Sequence, residues 1–182
     1  MPFAVGSCLD VVVWFNDRAL GDGEYLQPQK LHRLLYLAQA YFTVAYPRSK
    51  LMPAVFVTDD FGPIEPNVYQ AFAYGRPHML ESNALSETAS HFLDGLWRRF
   101  GNASAEQLTR KVAQHAPVME AMAKGRGEEI PFDAMVAYCA SEAAQRRGAP
   151  SVDKVIRPRM LRSQSGKAVA VTSWTPKGVA GR

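Results

Sequence analysis

Few residues in this chain are of the types that do chemistry, and their spacing argues against catalysis. Cys8 and His32 are the one nucleophile–base pair that two neighbouring helices could bring together. Cys8, however, falls on the apolar side of its helix, where a packed thiol is the ordinary outcome. His32, His78, His91 and His115 follow no metal-ligand spacing, and neither Cys8 nor Cys139 has a second ligand nearby, so neither a zinc site nor a disulfide framework is expected. His91 and Asp94 share one helix face, as a surface pair does. The densest group of carboxylates is Asp59, Asp60 and Glu65, and turn acids of this kind ordinarily cap local backbone donors. Gly21-Asp22-Gly23 and Gly125-Arg126-Gly127 lack the strand and helix that make a phosphate loop. The expectation is a protein with no catalytic residues, no metal and no cofactor.

The elements that carry these residues are mainly helical. Ser7 and Asp10 form a capping pair ahead of a helix over about residues 6–19, with Cys8, Leu9, Val12, Val13 and Phe15 on its apolar side. Pro28 opens a second helix that runs to about Tyr46. From Leu34 onward it is apolar nearly all round, which marks a central buried element. Val55–Thr58 has the β-branched content of a short strand, ended by Asp59-Asp60 and a Gly62-Pro63 turn, with Ile64 and its neighbours or part of the tail as the pairing partner. A third helix is expected over Pro66–Tyr74. Ser86 caps the cleanest amphipathic stripe (Ala89, Phe92, Leu93, Leu96, Trp97, Phe100), and Ser104 with Gln107 forms a second capping box. Pro117-Val118-Met119 starts a short turn, and Phe132, Met135, Val136, Cys139 and Ala143 form the last stripe. The fold expected is a compact multi-helix domain with a small β-hairpin or strand pair near residues 53–65.

Composition sets outer bounds. The chain of 182 residues is 47% hydrophobic and 21% charged, as ordinary globular proteins are, and has no apolar run long enough for a membrane span. No basic segment precedes Val11–Phe15, so a secretory signal is not expected and the cytoplasm is the default. Charge is placed unevenly. From Pro150 onward, Lys154, Arg157, Arg159, Arg162, Lys167, Lys177 and Arg182 face Asp153 alone, which makes the tail six charges positive. With a total of +4, the preceding residues carry a net −2, so the sequence pI of 9.2 belongs to an appendage and not to a nucleic-acid-binding body. The division expected is residues 1–149 as the domain and 150–182 as a basic, flexible tail in which Ala168–Val171 can become a strand against a partner.

Two segments carry a resemblance. One is Pro28-Gln29-Lys30-Leu31-His32-Arg33-Leu34-Leu35-Tyr36-Leu37-Ala38-Gln39. The other runs from Asp60-Phe61-Gly62-Pro63-Ile64-Glu65-Pro66 to Asn67-Val68-Tyr69-Gln70-Ala71-Phe72. Together they resemble the signature of the Panacea domain of SocA-like antitoxins, a phage-associated family, and the resemblance covers roughly residues 5–145. It implies an antitoxin that binds a cognate toxin directly. For the SocA-like type it implies a proteolytic adaptor that delivers the toxin to the ClpXP protease. Simple masking of the toxin, or autorepression of the operon by DNA binding, are the alternatives. Residues read as toxin-binding are Gln29, Lys30, Arg33, Asp60, Phe61, Gly62, Pro63, Glu65 and Tyr69. Of these, Gln29, Lys30, Arg33 and the Phe61-Gly62-Pro63 turn are expected at the surface. Arg157-Pro158-Arg159-Met160-Leu161-Arg162 resembles the docking peptides other adaptors use on the unfoldase. The chain departs from the family pattern at Asp59, where many members have tryptophan, and at Pro117-Val118 beside His115, where a Pro-Trp pair is usual.

Overall fold

A computed structural model describes residues 1–75, 83–148, 159–162 and 168–171. They hold seven helices and two short antiparallel strand pairs, a mainly helical fold with a small hairpin. The chain divides into two compact units, Met1–Ala143 and Ala144–Arg182.

In the first unit the helices begin where local donors can be satisfied. Helix α1 (Cys8–Gly21) opens on a full capping box: the Ser7 side chain accepts from the first turn, and Asp10 accepts from the Ser7 amide at 3.0 Å. Helix α2 (Pro28–Ala45) has proline in its first turn, where the missing N–H costs nothing. Every residue from Lys30 to Ala40 is buried, so α2 is the axis on which α1 and the later helices pack. Strands β1 (Val57–Asp59) and β2 (Gly62–Ile64) pair in the register Val57↔Ile64, Thr58↔Pro63 and Asp59↔Gly62. The strand pairing thus starts two residues later than the β-branched run Val55–Thr58 suggests. The carbonyl of Phe56 instead accepts from the Ile130 amide at 2.8 Å, and the Thr58 amide donates to the Glu128 carbonyl at 2.9 Å. Residues 127–130 therefore cover the second edge of β1.

Helix α3 (Pro66–Ala71) is shorter than expected, because residues 72–75 turn back on themselves through Gly75, whose φ is +103°. Helices α4 (Glu87–Phe100) and α5 (Ala105–Ala113) start at Ser86 and Ser104 as their capping residues require. Between them Gly101 has no room for a side chain: a Cβ there would lie 2.6 Å from the Trp97 carbonyl. Residues 116–124 form a full helix, α6 (Ala116–Lys124), where the sequence suggests only a turn; Pro117, Val118 and Ala121 bury one face of it against the hairpin. Helix α7 (Phe132–Gly148) buries Met135 and Cys139.

In the second unit, β3 (Arg159–Arg162) pairs with β4 (Ala168–Val171) antiparallel. The strand expected at Ala168–Val171 is present, and its pairing partner lies within the same tail.

Candidate functional site

The two signature segments are bonded to each other, and the polar residues of the first hold the second. Arg33 is 1% exposed. Its Nη1 donates to the Pro63 carbonyl at 2.7 Å, its Nη2 to the Phe61 carbonyl at 2.5 Å, and its Nε to Thr109 Oγ1 at 3.3 Å. The planar guanidinium thus spends its fork on the two carbonyls that flank Gly62. Gly62 has φ +122°, and a Cβ there would sit 3.4 Å from the guanidinium. The close approach that glycine permits is therefore used by this chain's own arginine. Burial lowers the Arg33 pKa to about 10, so the group stays charged at neutral pH.

Next to it, the Glu65 amide donates to His32 Nδ1 at 3.2 Å. Glu65 is fully buried. Its carboxylate caps α3 by accepting from the Val68 amide at 2.7 Å, and accepts from Asn67 at 2.9 Å and the Cys8 thiol at 3.7 Å. Burial first, then the neighbouring Glu65 charge, push the Cys8 thiol up to about 11. A thiol held there has little thiolate at neutral pH, which argues against the Cys8–His32 pair as a nucleophile and base. Burial, with Arg33 adding to it, holds His32 neutral down to about 4. Further along α2, the Gln39 amide accepts from the Met52 N–H at 3.1 Å and donates to the Met52 carbonyl at 3.0 Å.

This geometry corrects several placements that the sequence suggests. Lys30 and Arg33 were expected at the surface and are buried. Lys30 donates to the Gly101 carbonyl at 2.5 Å and to Glu24 at 2.7 Å, above the Trp97 ring. Gly62, Pro63 and Glu65 are buried as well, so the turn offers a partner neither its glycine nor its proline. Asp59 and Asp60, expected to cap local donors, instead face Arg126, at 2.8 Å from Asp59 Oδ1 to Nε and 3.7 Å from Asp60 Oδ2 to Nη1.

What remains outward is Phe61 (60% exposed), Tyr69 (46%), Gln29 and Asp60. The Tyr69 ring stands 6.4 Å from that of His32. Beside the hairpin tip, Met122 of α6 lines a groove of about 240 Å³ with Thr58, Asp59, Asp60, Gly125 and Arg126. Met119, three residues earlier on α6, is exposed too. Sequence reasoning missed these methionines and Arg126 because it gave residues 117–119 to a turn. The stripe of Pro117, Val118 and Ala121, set against Met119 and Met122, was the available signal.

A second polar cluster lies inside the α2–α5–α7 region. His115 sits in the core at 1% exposure, with Nδ1 3.3 Å from the Tyr36 hydroxyl and its ring 4.4 Å from that of Tyr138. Burial keeps it neutral down to about 4. Burial alone would raise Glu142, but hydrogen bonds from Tyr41 and Lys111 outweigh it and leave the carboxyl below its usual range. The cluster ties three helices together from within.

Of the remaining candidates, His78, Arg157 and Pro158 lie outside the described residues, while Arg159, Met160, Leu161 and Arg162 are strand β3. No three His, Cys, Asp or Glu side chains converge as metal ligands among the described residues, and no described helix is long and apolar enough to cross a membrane. The chain matches no protein-family model, no curated protein and no solved structure.

Proposed function

We propose that this chain is an antitoxin that grips a cognate toxin protein through the outer face of the Phe61 turn and delivers it to ClpXP. One observation carries the reading: Phe61 is 60% exposed on a turn whose backbone is clamped from behind by Arg33. A large apolar ring held outward on a pre-ordered backbone loses little entropy on binding, which is what an interface anchor needs. Tyr69 on α3 and Met122 on α6 are further exposed apolar side chains of the same unit. The raised Cys8 thiol and the two neutral, enclosed histidines favour a binding protein over an enzyme. The net negative body favours a protein partner over nucleic acid. In the adaptor reading, residues 157–162 of the basic tail dock on the unfoldase, so that two modest contacts act together.

The test is a reconstituted degradation reaction holding the product of the neighbouring gene, ATP and ClpXP, with and without this chain. Loss of the neighbour's product only when this chain is present, with the chain itself spared, is the expected outcome. A stable complex without loss makes the protein a masking antitoxin. Absence of any complex overturns the reading.

A further inference from the structure

Charge around the groove specifies what kind of segment the Phe61 face accepts. Two carboxylates, Asp59 and Asp60, line the groove together with Arg126, which pairs with both, and Glu128 and Glu129 are exposed on the segment bonded to the hairpin's edge. Arg126 lies across Asp59 and Asp60 but is itself 64% exposed on its side chain, and ion pairs this open are worth little. Asp59 Oδ1 is the more telling atom. It is enclosed, with Arg126 Nε 2.8 Å away, yet it receives no aligned hydrogen bond. The Asp59 side chain is 16% exposed, so water satisfies it poorly. Met122 is the large apolar side chain that lines the same groove. Phe61, next in the chain to Asp60, and Met119, one turn before Met122 on α6, are exposed. A methionine side chain is adaptable, and two carboxylates beside it fit a cation carried on an aliphatic stem.

We infer that the groove between the hairpin tip and α6 docks a basic-apolar segment of the partner protein, one of whose arginines replaces Arg126 on Asp59 and Asp60 while flanking apolar side chains cover Phe61 and Met122. Arg126 is the displaceable occupant: it keeps the carboxylates paired in the free protein and leaves for solvent when a better-aligned guanidinium arrives. The inference rests on the reading of the Phe61 face as the toxin-docking surface and adds the chemistry of what docks there.

Two fluorescent peptides test it against the full-length chain, one alternating arginine with leucine and the other alternating glutamate with leucine. Fluorescence anisotropy should show binding of the arginine peptide, weakening as salt rises, and at least about tenfold weaker binding of the glutamate peptide. Asp60→Arg and Met122→Glu should each weaken the arginine peptide at least about tenfold, while the Asp60→Arg chain gains affinity for the glutamate peptide. Both positions are outside the core, and circular dichroism confirms that the variants fold. Equal binding of the two peptides, or full affinity for the arginine peptide in both variants, overturns the inference. If that happens while the chain still forms a complex with its neighbour's product, the antitoxin reading survives alone. If the peptide results hold and no such complex forms, the groove stands and the antitoxin reading falls.

Discussion

The inner and outer faces of the Phe61-Gly62-Pro63 turn reverse the usual distribution of side chains. Inside, the turn meets Arg33, which is 1% exposed and also donates to Thr109, and just beyond the turn the Glu65 amide donates to His32. Outside, it offers Phe61, and Met122 lines the groove with Asp60, the residue before it; both Phe61 and Met122 are apolar and in contact with solvent. A hairpin of three residues per strand cannot hold its own shape. Charge-assisted hydrogen bonds from a central helix supply the order that strand pairing cannot, and that frees the tip to carry an apolar ring. Polar residues here order the turn, and apolar ones are left for the proposed site.

Substitutions that separate the two faces should differ mainly in whether they affect stability or binding. The largest loss is expected at Arg33→Met, which leaves the Phe61 and Pro63 carbonyls without their donor. Urea unfolding should show a loss of about 3–5 kcal/mol, the range for breaking a buried charged group's bonds. A loss below about 1 kcal/mol would show that the clamp is dispensable. Gln39→Leu removes both bonds to Met52 and should cost about 2–4 kcal/mol in the same assay, with no change in peptide binding.

Acid should weaken the fold through its two buried histidines, one beside the turn and one in the α2–α5–α7 cluster. His32 and His115 both titrate near 4 when folded and near 6.5 when unfolded, so below about 6.5 the unfolded chain takes up protons that the folded chain refuses. The histidine contribution to stability is complete above pH 6.5 and is lost as pH falls from 6.5 to 4. Melting temperature followed across that window should decline, and the slope should shrink in His32→Gln. Gly62→Ala comes next, at about 1–3 kcal/mol, since φ +122° is strained for alanine and its methyl would crowd Arg33. The smallest stability effect belongs to Phe61→Ser, within about 0.5 kcal/mol of the parent by thermal melting. That same change should abolish the complex with the proposed partner in a co-purification, which is the sharpest contrast between the faces.

Most helices were legible in the sequence because their signals are local. Ser7 with Asp10, Ser86, and Ser104 with Gln107 each mark a helix start within a few residues, and the structure has helices at all three. The hairpin was legible for the same reason, through β-branched residues next to Gly-Pro. The burial of Lys30 and Arg33 was not. Their partners Gly101, Phe61, Pro63 and Thr109 lie 28 to 76 residues away in the chain, and no local pattern reports a distant carbonyl. A cation near the start of a helix reads as solvated until the fold supplies acceptors. The α6 face was missed for a different reason: the helix is nine residues long with proline near its start, so its periodicity spans barely two turns.

The Gln39 clamp also bears on how the hairpin finds its place. Gln39 holds Met52 across only 13 residues, whereas Arg33 must reach Phe61 and Pro63 across 28 and 30. Loop closure costs more entropy as the loop lengthens, and a link already made shortens the next search. Once Met52 is tied to α2, the Phe61 turn lies only nine residues beyond a fixed point. Loss of the glutamine should therefore slow refolding as well as lower stability, which stopped-flow refolding of Gln39→Leu checks.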